Sequence, residues 1–207
     1  MKKSFNTLIA GVIGSGKSYT EKALLRGLLD KGPCQLVLID PKQVELMEFQ
    51  NLPETLYYAD SEDGICSALE SAEMIMENRF SAMKAAKKTE TEEPPIFIVV
   101  DEMAFLMQSD RKKEYVRILN RITLLGRAAD MHLILCSQVS TQDVIPACIR
   151  DNMTNIVCLR QRDAGKYRYL LGDFPGRLPT IGYCYLFTPD MARPEKIESK
   201  EVFRWIN

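Results

Sequence analysis

One stretch constrains this chain more than any other. Leu8-Ile9-Ala10 is an apolar run that leads into Gly11-Val12-Ile13-Gly14-Ser15-Gly16-Lys17-Ser18. The second part fits G-x-x-x-x-G-K-[ST], the phosphate-cradling P-loop. A fold that uses it needs a buried strand before the turn and a helix after it. Gly11, Gly14 and Gly16 let the backbone come close to a phosphate, with successive N–H groups pointing inward as an anion nest. The following helix adds its unpaired N–H groups and the positive end of its dipole. Lys17 is expected at the β- and γ-phosphates, and the Ser18 hydroxyl on Mg²⁺. The nucleotide-binding set therefore runs Gly11, Val12, Ile13, Gly14, Ser15, Gly16, Lys17, Ser18 and Tyr19, with ATP and Mg²⁺ as cofactors.

The rest of the chain alternates strand and helix patterns. Strands are expected at 5–10, 35–39, 56–58, 96–100, 132–136, 155–159 and 182–187, the last on a sheet edge. Helices are expected at 17–30, 46–49, 61–87, 111–129, 144–149 and 164–171. Apolar residues recur at helical spacing in the long ones, as at Ile65, Leu69, Ala72, Ile75, Met76 and Phe80. Tyr115, Ile118, Leu119, Ile122 and Leu125 mark an inward face in the same way. Ile96-Phe97-Ile98-Val99-Val100 has no polar residue, as a central parallel strand covered on both faces requires. The alternation predicts an α/β fold, a mostly parallel β-sheet with helices on both faces. Length makes one domain over residues 1–207 the default.

Ligands in open α/β sheets bind at the carboxyl ends of the strands. Asp101 and Glu102 stand at that end of the most apolar strand. Asp101 is expected to support Mg²⁺, and Glu102 to polarise the attacking water. Gln138 has the same address after another buried strand, where a neutral amide can bond a γ-phosphate oxygen and the water. A charge-spread phosphoryl transition state also gains from an arginine supplied across a subunit interface. Arg79, Arg127, Arg150, Arg160 and Arg162 are the candidates.

Composition narrows the function classes. A net charge of −1 provides no global attraction to nucleic acid, so any such contact must be local. Six scattered cysteines, none in a C-x-x-C pair, and a lone histidine argue against a zinc site. Cys136 and Cys158 fall in strand-like runs and read as buried thiols of a reducing cytoplasm. No apolar run approaches 18 residues, so no intrinsic membrane span is expected, and membrane recruitment would need a partner.

With these residues in place, the chain resembles the motor domain of the FtsK/SpoIIIE family of DNA translocases from about Leu8 to about Leu171. The resemblance rests on the P-loop, on Asp40-Pro41-Lys42 with Glu45-Leu46, and on Met76-Glu77-x-Arg79. It continues in Val100-Asp101-Glu102 with Leu106-Met107, Gly126-Arg127-Ala128-Ala129-x-x-His132-Leu133, and Gln138 with Asp143-Val144-Ile145. The resemblance implies a RecA-like P-loop ATPase that works as a ring, usually a hexamer, and moves double-stranded DNA through its centre. It also implies that Arg79 acts in trans on the neighbouring subunit's nucleotide, with Arg127 in reserve. Val139-Ser140 stand where family members commonly have Arg-Pro. No winged-helix or membrane domain is expected.

Three functions follow. The first is an ATP-hydrolysing translocase of chromosomal, plasmid or conjugative DNA. The second is a motor for a protein secretion system of the type VII kind. The third is a nucleotide-binding assembly module without turnover, which the presence of Lys17, Ser18, Asp101 and Glu102 counts against. DNA contacts would be mostly to phosphates. Arg111, Lys112 and Lys113, with Lys166 and Arg168, are the expected carriers.

Overall fold

A computed structural model describes residues 5–178 and 181–206. The first β-strand, β1 (Thr7–Ala10), leads through the glycine turn into helix α1 (Lys17–Lys31). Then come β2 (Gln35–Ile39), a 3-10 turn (Met47–Phe49), β3 (Thr55–Ala59), the long helix α2 (Glu62–Ala86) and β4 (Ile96–Val100). Two helices, α3 (Met103–Gln108) and α4 (Lys112–Leu125), precede β5 (Met131–Ser137). The chain continues through α5 (Ala147–Arg150), β6 (Asn155–Cys158), α6 (Ala164–Leu171) and β7 (Tyr183–Phe187). It closes with β8 (Glu195–Glu198), a second 3-10 turn (Ser199–Glu201) and α7 (Val202–Ile206).

Among the described residues, the eight strands form one sheet in the order β3-β2-β4-β5-β1-β6-β7-β8. Pairing is parallel from β3 to β6 and antiparallel for β7 and β8. Alternate residues of each strand feed two core layers. Val37, Ile39, Ile98 and Val100 pack under α2, α4 and α6. Leu36, Leu38, Phe97 and Val99 pack under α1 and α7. The fold class expected from the alternation is the one observed, with β5 lying between the P-loop strand β1 and the acidic strand β4.

The boundaries have local causes. Helix α2 starts where the Ser61 hydroxyl accepts from Gly64 N, and ends at Lys87, whose φ of 54° leaves the helical region. Helix α4 stops at Leu125 rather than Ala129, because the chain turns at Gly126 to start β5. There Met131 N donates back to the Gly126 carbonyl. Leu125, expected inward, is 44% exposed because it lies at the helix end. Strand β7 is not the sheet edge: β8 pairs outside it. Among the described residues no helix is long and apolar enough to cross a membrane.

Candidate nucleotide site

Parallel strands β1, β4, β5 and β6 deliver their carboxyl ends to one edge, and the turn after β1 is threaded between two of them. Gly11 N donates to the Ser137 carbonyl at the end of β5, and Val12 N to the Arg160 carbonyl after β6, each at 3.0 Å. A Cβ on Gly11 would stand 2.4 Å from Ser15 Oγ and 2.6 Å from Leu159 Cβ, so the close approach admits only glycine. Gly14 and Gly16 have φ of 72° and 93°, in the left-handed region. Gly16 caps α1 without a side-chain acceptor, so the first N–H groups of this 15-residue helix are left for an anion. The turn encloses a cavity of about 280 Å³ lined by Val12, Ile13, Gly14, Gly16, Lys17, Ser18, Tyr19 and Gln138. Ser15 is buried, and its hydroxyl has no hydrogen-bond partner. Ile13, Gly14 and Tyr19 are the exposed members, with the Ile13 and Tyr19 side chains at 77% and 59%.

Lys17 is buried and its ammonium points at β4. Nζ donates to Asp101 Oδ1 at 2.6 Å and to the Asp101 carbonyl at 3.0 Å. Glu21, one helical turn on, places Oε2 3.8 Å from the same ammonium. Burial alone would lower the Lys17 pKa, but the acidic groups Cys136, Glu21 and Asp101 outweigh it, so the pKa stands above the ordinary lysine value. Glu21 is fully buried, and neither of its oxygens has a hydrogen-bond partner. Burial pushes its carboxyl up to about 8; Lys17 pulls it back and Asp101 adds to the rise. Lys17 and Asp101 form the close ion pair, and burial beside it shifts the Glu21 carboxyl toward its neutral form.

A divalent cation fits this donor set. Asp101 Oδ2 is buried and without a hydrogen-bond partner, and Ser18 carries its hydroxyl on α1 next to Lys17, which Asp101 holds. A hard cation takes such oxygen ligands together with phosphate oxygens.

Glu102 is 5% exposed and caps α3. Its Oε1 accepts from Ala104 N, from Ser137 Oγ and from Gln138 N, each at 3.3 Å. Its Oε2 faces Lys42 Nζ at 3.5 Å. Gln138 thus touches the acidic pair through its backbone and lines the P-loop cavity as well. The structure brings Lys17, Asp101, Glu102 and Gln138 together from three strand ends.

Arg79 does not lie at the P-loop edge of its own chain. It is buried at the opposite edge of the sheet, where Nη1 donates to the Ala129 carbonyl at 2.7 Å and the Asp130 carbonyl at 3.4 Å. Nη2 donates to the Pro94 carbonyl at 2.7 Å. Burial lowers its pKa, with Glu93 and Asp130 opposing. The guanidinium braces the starts of β4 and β5. Arg127, in the turn before β5, is exposed.

The five cationic residues expected at DNA lie on two helices. Arg111, Lys112 and Lys113 are exposed at the start of α4, with Arg111 paired to Asp63 at 2.9 Å. Lys166 lines a second cavity of about 290 Å³ next to Val12, Ile13 and Gln138, and Arg168 lies 5.9 Å over the Phe174 ring.

Four site residues escaped the sequence reading. Glu21 carried a signal, since four residues separate it from Lys17 on one helix face. Lys42, Ser137 and Gln161 depend on strand order. Gln161 donates to the Ala10 carbonyl and accepts from Ser140 Oγ, fastening the turns after β1, β5 and β6 to one another.

The FtsK/SpoIIIE family model matches residues 1–92 and 81–142. DNA translocase FtsK of Helicobacter pylori (strain ATCC 700392 / 26695) is 34% identical over 211 residues, which cover 93% of this chain and 24% of that protein. DNA translocase FtsK of Corynebacterium glutamicum is 31% identical over 96% of this chain, again 24% of the relative. The chain thus spans about a quarter of the length of the curated relatives it matches. Among solved structures, the pCW3 conjugation coupling protein TcpA in its monomer form with ATPγS superposes with a TM-score of 0.80. It shares 20% identity over 99% of this chain and 66% of its own. EssC (ATPases 2 and 3) from Geobacillus thermodenitrificans gives a TM-score of 0.76 at 17% identity, over 97% of this chain and 43% of its own. On the extent of the family match and the identity to these relatives, this chain belongs to the FtsK/SpoIIIE family.

Proposed function

We propose that this chain is the ATP-hydrolysing motor of a ring-forming translocase that moves double-stranded DNA. The observation that carries the reading is the joint placement of Lys17, Asp101, Glu102 and Gln138 at one sheet edge beside the P-loop cavity. The relatives' printed name, DNA translocase FtsK, supplies the cargo. EccC, named as a Type VII secretion ATPase, has the same fold, and protein cargo is the alternative outcome of the test below.

Each residue then has a task. The P-loop amides and the start of α1 hold the phosphates, and Lys17 leaves Asp101 for the β- and γ-oxygens. Ser18 and Asp101 would hold Mg²⁺, which neutralises phosphate charge when bound. Glu102 accepts a proton from the attacking water, and Gln138 orients that water. Arg127, exposed where Arg79 is not, is the arginine offered to the neighbouring subunit of a hexamer. Arg111, Lys112, Lys113, Lys166 and Arg168 touch phosphates without reading bases, as suits a motor indifferent to sequence. The ring works in the cytoplasm, at the membrane only through a partner.

The test is ATPase rate against duplex DNA concentration at two salt levels, on protein shown to be assembled. Stimulation with little sequence preference, falling steeply with salt, is expected because each neutralised phosphate releases counterions. Assembled protein that neither binds duplex DNA nor responds to it at low salt would move the cargo to protein.

A further inference from the structure

The block Asp40-Pro41-Lys42 has no task in the scheme above. Asp40 is buried, and its Oδ2 accepts from Leu46 N at 2.8 Å and from the Tyr58 hydroxyl at 3.2 Å. Gln43 N donates to the Asp40 carbonyl at 3.0 Å, and Gln43 itself is in the left-handed region with φ of 56°. Pro41 fixes one more backbone angle. The turn after β2 is therefore pinned at both ends. It projects Lys42 toward the neighbouring strand end, since β2 pairs with β4 through Ile39 and Val100.

The Lys42 ammonium ends 3.5 Å from Glu102 Oε2. Two backbone N–H groups already donate to Oε1, with the Ser137 hydroxyl beside it, so Oε2 is the oxygen left to take a proton from water. Lys42 covers it. Glu102 is nearly enclosed, but the Lys42 side chain is 44% exposed, so it is the partner an outside anion can reach. Helix α4, with Arg111, Lys112 and Lys113 at its start, leaves from the same sheet edge through α3. Arg111 meets Asp63 at the start of α2, which follows the edge strand β3. A polyanion lying along this side of the edge would meet these cations and Lys42 together.

We infer that Lys42 is a positioning residue that holds Glu102 out of hydrolysis until the phosphodiester backbone of duplex DNA draws its ammonium away. The inference rests on the DNA-motor reading for its releasing anion and on Glu102 for its target. With Lys42 displaced, Oε2 accepts a proton from the water whose oxygen bonds to the γ-phosphorus, and the bond from that phosphorus to the leaving ADP oxygen breaks. The contact lowers the basal rate and ties turnover to cargo. It acts on kcat, because Lys42 is not among the residues lining the P-loop cavity.

The experiment measures kcat and KM for ATP on the full chain, with and without linear duplex DNA, for wild type, Lys42→Ala and Lys42→Arg. Without DNA, Lys42→Ala should raise kcat about fivefold, the factor a half-exposed ion pair is worth, with KM unchanged. Its DNA stimulation should shrink toward unity. Lys42→Arg keeps the charge and should restore the low basal rate. A Lys42→Ala kcat at or below wild type without DNA would overturn the lock, as would a change confined to KM. If wild type is not stimulated by duplex DNA, DNA is lost as releasing anion and as cargo. The basal kcat of Lys42→Ala then decides the lock by itself.

Discussion

Replacing Glu21 by glutamine should stabilise this protein at neutral pH while removing a charged residue type from beneath its P-loop lysine. Burial raises the Glu21 carboxyl from an ordinary 4.5 to about 8. A folded-state pKa above the unfolded one means stability that is complete below pH 4.5 and is lost as pH rises toward 8. Each unit is worth about 1.36 kcal/mol, so Glu21 costs the fold about 3 kcal/mol at pH 7 and about 5 kcal/mol above pH 8. Glutamine has nearly the shape of the neutral acid and no proton to lose. The exchange gives up only the long 3.8 Å contact of Glu21 Oε2 with the Lys17 ammonium among its charged contacts. The assay is urea unfolding of both proteins at pH 5, 6, 7 and 8, at constant ionic strength. The stability difference should grow by about 1.4 kcal/mol per pH unit in favour of Glu21→Gln, and level off above 8. Parallel pH dependences, with a difference constant across the range, would refute the argument that Glu21 is held neutral.

Other outcomes follow from the same geometry. Gly11→Ala should abolish nucleotide binding, because its Cβ would overlap Ser15 Oγ and Leu159 Cβ; isothermal titration with an ATP analogue checks this. Arg79→Ala should lower the unfolding free energy by about 2 kcal/mol or more, since it takes the arginine donors from the buried carbonyls of Ala129 and Pro94. Arg127→Ala should leave stability within about 0.5 kcal/mol of wild type, as an exposed site should. In assembled protein it should cut turnover on the order of a thousandfold with nucleotide affinity intact. Calorimetry and ATPase rates on the two arginine variants separate the brace from the trans-acting group.

The sequence was most legible where local pattern and burial agree. The run Gln35–Ile39 and the apolar run Ile96–Val100 are strands with those bounds, and Ala164–Leu171 is a helix with those bounds. Cys136 and Cys158 are buried thiols, as their strand positions require. Helix α3 was missed because the acidic pair before it draws attention to its ends and its six residues are too few for a period. The stretch from β8 to α7 was missed for a different reason. Glu195-Lys196-Ile197-Glu198 buries only Ile197 deeply, so its pattern reads as solvated chain until β7 supplies a partner. Pairings across the sheet were the least legible. Arg79 lies on a correctly placed helix, yet its burial depends on α2 ending against the starts of β4 and β5. The Lys42–Glu102 contact likewise needs β2 beside β4, which no local signal carries.

The central claim is that Glu102, beside a working P-loop, makes this chain an ATPase. The most direct measurement is ATP binding and steady-state turnover of Glu102→Gln beside wild type, under the same assembly conditions. Glutamine can keep the cap on α3 through its amide oxygen, so the fold and the P-loop should stand. The account predicts nucleotide affinity close to wild type and turnover reduced roughly a hundredfold or more, since the lost group acts only in the transition state. Near-normal turnover in Glu102→Gln, with wild-type affinity, would contradict it.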